Sequence, residues 1–304
     1  MLTPNIPEKS RKIALFIGGA QKAGTTSLKE YLGEHPDVIT HSQKEFAYFY
    51  DDADFRKGQE SAFKKYFHQH HPEKKLIAKN AGLYVKEEGI RRLYDHNPQC
   101  EFVLILRNPV ERTYSAFQME SNYGHIRDPF EIMGEVIRTK DKSDWRYDFF
   151  IRMSLYVQHL KTIYQYFPKE QVSIFRFEEL GTAPDKICSE LFRKIGVRDD
   201  FQPDFSVKHN VTHHSRSVKY GRIVMKLLNN TNPLKRIASS VIPAGQDYKI
   251  GEMLRNVNRS KKKPEKVSGD ILNLLTAFYT PFNEELQELT GMDFSSWNYP
   301  SQTP

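Results

Sequence analysis

Residues 11–30, RKIALFIGGAQKAGTTSLKE, constrain the fold more than any other stretch of the chain. Ile13 to Ile17 is a short continuous apolar run, the pattern of a strand covered on both faces of a parallel sheet. Gly18, Gly19 and Gly24 let the backbone turn sharply after it, and Thr25, Thr26 and Ser27 supply hydroxyls where a helix should start. Backbone N–H groups at such a start, with the positive end of the helix dipole, make a phosphate cradle. Lys22 adds a point charge inside the same loop. A nucleotide triphosphatase carries G-x-x-x-x-G-K-[ST] here, with the lysine on the terminal phosphates and the next hydroxyl on magnesium. Gly19 to Gly24 has that span, but Thr25 stands where that lysine belongs and the loop's only lysine is Lys22. The loop therefore suits a phosphate without the apparatus for a metal-bound γ-phosphate. A glycine-containing structural turn is the alternative.

The 304 residues are enough for one large α/β domain or two smaller ones, with ample length to bury a core. A formal net charge of +7 points to polyanionic ligands or simply to a basic surface. Cys100 and Cys188 have no metal-type spacing and indicate neither a disulfide framework nor a thiol site. His68, His70 and His71 have no evident partner ligands, so no metal is expected. The N-terminus lacks an apolar signal core and no apolar run approaches membrane-spanning length, which makes a cytoplasmic protein the default.

Taken in order, the first loop leads into a helix over 26–31, ended by Gly33 and Pro36. Val38–Thr40 reads as a second strand, followed by Ser42-Gln-Lys-Glu-Phe-Ala-Tyr-Phe-Tyr, an aromatic stretch around the carboxylate of Glu45. Asp51–Lys74 reads as a polar, irregular surface excursion, and Lys75–Lys79 as a third strand. A helix over Glu87–Tyr94 is broken at Asn97-Pro98. Phe102–Leu106 is a second unambiguous buried strand, running straight into Arg107-Asn108-Pro109, and Pro109 suits the first position of a helix over Val110–Met119. Asn122–Asp144 reads as a substrate-side insertion. A helix ends at Pro168, a strand spans Val172–Phe177, and a helix over Pro184–Ile195 closes at Gly196. The signal weakens between Asp199 and Lys266. The tail reads as a helix over Ile271–Tyr279 and a separate one opened by Thr280-Pro281 and running to Leu289. Repeated strand, turn and helix predict an α/β fold: a P-loop-like, doubly wound parallel sheet flanked by helices, with ligands at the carboxyl ends of the strands. One domain over 1–304 is expected, with an N-terminal extension at 1–12, a nucleotide-binding core at 13–120, and acceptor-side loops and C-terminal helices in 121–304.

Three pieces fall at strand carboxyl ends: the loop from Lys22 to Ser27, the Glu45 segment, and Arg107 with Ser115 further along the next helix. The combination resembles the sulfotransferases that use 3′-phosphoadenosine-5′-phosphosulfate (PAPS), in particular the branch with heparan-sulfate sulfotransferases and their bacterial relatives. The matching stretches are Gln21-Lys-Ala-Gly-Thr-Thr-Ser, Leu106-Arg-Asn-Pro-Val-Glu-Arg-Thr-Tyr-Ser115 and Lys44-Glu-Phe-Ala-Tyr-Phe. Weaker similarity continues through Tyr156-Val-Gln-His-Leu, Tyr166-Phe-Pro and Phe177-Glu-Glu-Leu to Leu289-Thr-Gly-Met-Asp-Phe-Ser-Ser-Trp297.

The resemblance implies transfer of the sulfo group of PAPS to an acceptor hydroxyl, carbohydrate or glycan-like, leaving 3′-phosphoadenosine-5′-phosphate (PAP). By analogy with phosphoryl transfer, negative charge grows on the leaving phosphate oxygen, and because a sulfo group carries less charge than a phosphoryl group, amides and one lysine suffice where kinases need magnesium. The residues implied are Lys22 at the bridging oxygen, Ala23, Gly24, Thr25, Thr26 and Ser27 around the 5′-phosphate, and Arg107 with Ser115 at the 3′-phosphate. The alternative for the last two is a strand-end salt bridge and a helix-surface serine. Glu45 is the general base, with Phe46, Tyr48 and Phe49 desolvating it and raising its pKa. His41 is the competing base. Lys79 falls where carbohydrate-directed members carry a site lysine, although Ala81-Gly82-Leu83-Tyr84 departs from their Ser/Thr-Pro-x-Tyr continuation. Arg216 and Lys219 suit a loop closing over the nucleotide, or a solvated basic loop. No nucleic-acid partner is expected. The rival readings are a degenerate P-loop kinase, which needs a magnesium carboxylate where Arg107 stands, and a non-catalytic polyanion-binding module.

Overall fold

The computed structural model describes residues 12–67, 71–123, 129–139, 141–206, 214–215, 259–260 and 269–299. In chain order the elements are β1 (Ile13–Gly19), α1 (Thr25–Gly33), β2 (Val38–Thr40), α2 (Asp52–Arg56), α3 (Gln59–Tyr66), β3 (Lys75–Lys79), α4 (Glu87–His96) and β4 (Glu101–Leu106). There follow α5 (Pro109–Tyr123), α6 (Pro129–Thr139), α7 (Tyr156–Ile163), β5 (Val172–Arg176), α8 (Phe177–Thr182), α9 (Pro184–Lys194) and α10 (Gly269–Thr290), with a two-residue antiparallel pair, β6 (His214–Ser215) and β7 (Arg259–Ser260), between α9 and α10. Two compact units are distinguished: Met1–Arg107 with Gln158–Asn210, and Asn108–Val157 with Val211–Pro304.

The first unit holds a five-stranded sheet in the order β2-β3-β1-β4-β5, parallel throughout. The apolar runs read from sequence are its centre. Ile13, Leu15, Phe16, Ile17, Phe102, Val103 and Ile105 are fully buried, as a parallel strand covered on both faces requires. The chain leaves β3 on one side of β1 and returns as β4 on the other, so the order reverses at β1, and in sheets of this kind ligands sit at the carboxyl end of such a strand. Helix α1 packs on β1, β2 and β3 through Leu28, Tyr31 and Leu32.

Gly18 and Gly19 serve differently from the expectation. They are not turn residues but the last two residues of β1, where a Cβ would come within 2.2 Å of the Phe102 ring and 2.4 Å of the Tyr84 ring. They are small because aromatic rings close over the strand end. The turn is made further on, by Lys22 (φ 74°) and Gly24 (φ 81°).

Asp51–Lys74 is also more ordered than its polarity suggested, with α2 capped by the Asp51 carboxylate on the Asp54 N–H (2.9 Å) and α3 burying Ala62, Phe63 and Tyr66. Phe63 and Tyr66 meet Phe46 edge-on at centroid separations of 6.1 and 4.8 Å. Three apolar positions are too few for a periodic signal, and the helix is held by its aromatic neighbours.

The last residue of α4, His96, ties that helix to the start of β1. Its Nε2 accepts the Ile13 N–H at 3.0 Å, its Nδ1–H donates to Gln59 Oε1 at 3.2 Å, and Lys12 Nζ donates to its carbonyl. Protonating Nε2 would set one N–H against another. Burial, and after it the Lys12 charge, hold the imidazole down at about 4, against 6.5 for an exposed histidine. The unfolded chain therefore binds this proton more readily than the folded one. Stability from His96 is complete above pH 6.5 and is lost as the pH falls towards 4, to a total of about 3 kcal/mol. The urea midpoint of the wild type is expected to fall more steeply between pH 7 and 4.5 than that of His96→Gln, which keeps an acceptor without the titration. Parallel pH dependences would refute this.

In the second unit, α5, α6 and α10 enclose a core that includes Phe117 stacked on Phe150 at 3.7 Å. Arg112 on α5 is fully buried, its guanidinium donating to the carbonyls of Phe150 (2.7 Å) and Phe149 (3.0 Å) in the π-helical turn Tyr147–Ile151 and to Ser154 Oγ (3.2 Å). Thr113 Oγ1 lies 2.8 Å from the Tyr279 hydroxyl of α10. Within Asn122–Asp144, read as a substrate-side insertion, the described residues include helix α6. One expectation is corrected here. The two C-terminal helices are one helix of 22 residues with Pro281 inside it. Proline in a helix interior costs about 3 kcal/mol, and the helix persists because Leu275 and Tyr279 before it and Asn283 and Leu286 after it are buried. Among the described residues no helix is long and apolar enough to cross a membrane.

Candidate active site

The expected site residues of the first unit gather at the carboxyl ends of β1, β3 and β4. Gly24, in the left-handed region, is the N-cap of α1, and no side chain caps the helix. The Leu28 N–H is the first to find an intrahelical acceptor, Gly24 O at 3.2 Å. The N–H groups of Thr25, Thr26 and Ser27 precede it in the first turn, at the positive end of the helix dipole, the end of a helix that suits an anion. Lys22 and the buried Ala23 complete the loop, whose geometry is fixed by the Ala20 N–H on Ile105 O (2.8 Å) and the Ala23 N–H on Ala20 O (3.2 Å).

Arg107 follows the last residue of β4. Its Nη1 donates to Lys22 O at 3.3 Å, and its guanidinium carbon lies 4.7 Å from the centroid of the Phe177 ring at the start of α8. The ring gives the cation an apolar platform and leaves the planar donor fork oriented beside the loop. Ser115 is a buried residue of α5 in the second unit. Arg216 and Lys219 lie outside the described residues, as do His68 and His70. His71 sits 3.4 Å from the Glu73 carboxylate. Among the described residues no three His, Cys, Asp or Glu side chains are grouped to hold a metal ion.

Glu45 and Lys79 come together from segments 34 residues apart. Lys79, the last residue of β3, has a side chain only 1% exposed, and its Nζ donates to Glu45 Oε1 at 2.8 Å and to Thr26 Oγ1 at 3.3 Å. The other carboxylate oxygen accepts the Ala81 N–H at 2.9 Å. Burial pulls the Lys79 pKa below the usual lysine value, and the Glu45 charge opposes that shift. One ammonium thus touches both the donor-loop helix and the carboxylate. The three rings expected around Glu45 do not supply its contacts. Phe46, Tyr48 and Phe49 are buried in a cluster with one another, while the carboxylate meets an ammonium and a backbone N–H and is 35% exposed.

His41, the competing base, is almost fully buried. Its Nε2 accepts the Lys79 N–H at 3.1 Å, and the rings of Phe46, Tyr66 and Phe67 surround it. Burial, then the Lys29 and Lys79 charges, hold its pKa well below the ordinary histidine value. A ring whose basic nitrogen is already occupied and whose charged form is disfavoured makes a poor proton acceptor.

Several working contacts were not foreseen from sequence. The Ala81 N–H, the Phe177 ring and the buried Lys29, which donates to His41 O at 3.1 Å, carry no periodic or motif signal. Asn80 belongs with them: its N–H reaches Ile17 O, its Nδ2 reaches Phe46 O and its Oδ1 accepts the Gly82 N–H. The resemblance draws in the stretches that contain Ala81 and Phe177, but not these contacts.

Comparison with known proteins places this geometry in a family. The family model described as "Sulfotransferase domain" matches residues 12–222, and the chain belongs to that family. It is similar to mouse heparan sulfate glucosamine 3-O-sulfotransferase 5, with 25% identity over 287 residues, covering 91% of this chain and 71% of that protein. It is also similar to the bifunctional heparan sulfate N-deacetylase/N-sulfotransferase 1 of Caenorhabditis briggsae, at 28% over 198 residues, 60% of this chain and 22% of that one. Among solved structures, a sulfotransferase from Alicyclobacillus acidocaldarius shares the fold, with a TM-score of 0.66 at 21% identity, covering 95% of this chain and 99% of that one. The protein is a PAPS-dependent sulfotransferase.

The cradle fits that donor. An uncapped nine-residue helix led by a left-handed glycine and a lysine-bearing loop offers fixed amides to a phosphate, and Arg107 adds a bidentate cation beside it.

Proposed function

We propose that this sulfotransferase acts on a hydroxyl of a carbohydrate or glycan-like acceptor, with Glu45 as the general base. The observation that carries the reading is the suspension of the Glu45 carboxylate between Lys79 Nζ and the Ala81 N–H, with the same ammonium on Thr26 of the donor helix. The carbohydrate class is supported by the relatives named for heparan sulfate.

PAPS supplies an activated sulfo group on a phosphate leaving group. Around it, Gly24, Thr25, Thr26 and Ser27 hold the 5′-phosphate through amides and hydroxyls, with Ala23 in the same loop. Lys22 neutralises the charge that develops on the bridging oxygen. Glu45 takes the proton of the acceptor hydroxyl as its oxygen bonds to sulfur and the bond from sulfur to the bridging oxygen breaks. The products are a sulfate ester, PAP and a protonated Glu45. Lys79 orients the carboxylate. Arg107 binds the 3′-phosphate, and the assignment of Ser115 to the same group rests on the resemblance of the stretch from Leu106 to Ser115. Arg216 is assigned to the nucleotide by resemblance alone. The chemistry requires no metal. A reducing compartment such as the cytoplasm suits Cys100 and Cys188, both buried and free.

Calorimetry tests the donor half of this reading. PAP is expected to bind without metal, and Arg107→Ala to weaken it about tenfold or more, the loss of a charge-assisted contact of roughly 1.5–3 kcal/mol. Preference for magnesium-ATP over PAP would overturn it. For the acceptor half, labelled sulfate from PAPS is expected in a heparan-type glycan rather than in p-nitrophenol. The reverse preference would reassign the acceptor class.

A further inference from the structure

The segment that carries Glu45 is fastened to the end of β3 at both polar groups of a single residue. The Lys79 N–H is taken by His41 Nε2 at 3.1 Å, and Lys79 O accepts the Phe46 N–H at 2.7 Å. Residues 41 and 46 therefore bracket Glu45, and both grip the backbone of the lysine whose side chain holds the Glu45 carboxylate. Phe46 makes its contact with a backbone amide that any residue other than proline would supply. His41 makes its contact with a side chain, so the geometry depends on its identity. The clamp is anchored further from behind, where Lys29 Nζ of α1 donates to His41 O and the Ser42 N–H reaches Tyr66 O.

We propose that His41 is a positioning residue for sulfo transfer: by accepting the Lys79 N–H it sets the Glu45 carboxylate against Lys79 Nζ and beside the first turn of α1, where Thr26 stands. This rests on the reading of Glu45 as the base. His41 has no part in proton transfer and touches neither donor nor acceptor. The same contact explains why an imidazole is buried here among rings when a phenyl group would fill such a space. A phenyl group takes away the acceptor of the Lys79 N–H at the strand end, past the last residue of β2.

The test is a cycle of four proteins, wild type, His41→Leu, Glu45→Gln and the double variant, each assayed for single-turnover transfer of labelled sulfate from saturating PAPS to heparan sulfate. PAP affinity and melting temperature are measured on the same samples. His41→Leu is expected to lose about tenfold in transfer rate, the effect of a misplaced catalytic group, with PAP affinity unchanged. In the double variant the His41 change is expected to cost nothing beyond the loss from Glu45→Gln, because a positioning residue has no effect once its client is gone. His41→Gln, whose carboxamide oxygen accepts the same N–H, is expected to recover most of the rate, which a packing role would not predict. Should His41→Leu fail to fold, His41→Met takes its place in the cycle.

Multiplying losses in the double variant would overturn the proposal, as would a wild-type rate in His41→Leu beside a crippled Glu45→Gln. A wild-type rate in Glu45→Gln would instead overturn the base assignment, and the two failures are thereby told apart. A second readout is independent of the acceptor. The ¹⁵N shift of His41 Nε2 is expected at the value of an unprotonated acceptor nitrogen near neutral pH, and a protonated Nε2 would contradict the geometry.

Discussion

Glu45→Gln is expected to fold, to bind PAP as the wild type does, and to lose about 10²–10⁴-fold in transfer rate, the usual contribution of a positioned general base. The substitution is nearly isosteric, and its carboxamide oxygen still accepts from Lys79 Nζ. What disappears is the proton acceptor, together with the counter-charge of a lysine only 1% exposed. Because Glu45 supports the charged form of Lys79 against burial, its loss pushes the Lys79 pKa further down. The decisive comparison is the single-turnover rate at saturating PAPS alongside the calorimetric affinity for PAP. A Glu45→Gln enzyme that transferred sulfate at the wild-type rate would remove the carboxylate from the mechanism.

Lys22→Ala is expected to be nearly as damaging, by about 10²–10³-fold in kcat, which corresponds to roughly 3–4 kcal/mol of transition-state stabilisation from one preorganised donor. The lysine sits in a left-handed conformation, φ 74°, inside the loop between β1 and α1. Alanine has the same backbone cost there, so the comparison isolates the ammonium. Charge on the bridging oxygen grows only as the bond to sulfur breaks. The loss should therefore fall on kcat more than on the affinity for PAP. Loss of PAP affinity with full turnover at saturating donor would make Lys22 a ground-state phosphate ligand instead.

The chain reveals β1 and the start of α1 through local features. A strand buried on both faces must be a continuous apolar run, and a helix entered from a tight loop needs a residue that tolerates a left-handed backbone before it. Both appear within residues 13–27, and β4 announces itself in the same way before Arg107. Elements held by distant packing were less visible. Helix α3 buries three side chains, and α10 passes through Pro281, where the local rule calls for a break. In both, packing against distant residues outweighs local preference. The glycines show a related limit, since Gly18 and Gly19 look like turn residues until the rings of Phe102 and Tyr84 are seen against them.

By itself the sequence determined that this protein is built on parallel strands with a lysine-bearing loop and a helix start after the first, because periodicity and helix-start chemistry are properties of neighbouring residues. The tertiary structure alone decided how Thr26, Glu45 and Lys79 are brought together. Thr26, Glu45 and Lys79 meet only because β1 and β3 are adjacent in the sheet, with β2 beyond them, and because the 41–46 segment folds back onto β3. The different surroundings of His41 and Glu45 arise there too. Both are polar residues on the same short segment, and what separates them is burial. One is enclosed by rings with its basic nitrogen on a strand N–H, and the other stands half-exposed between an ammonium and an amide.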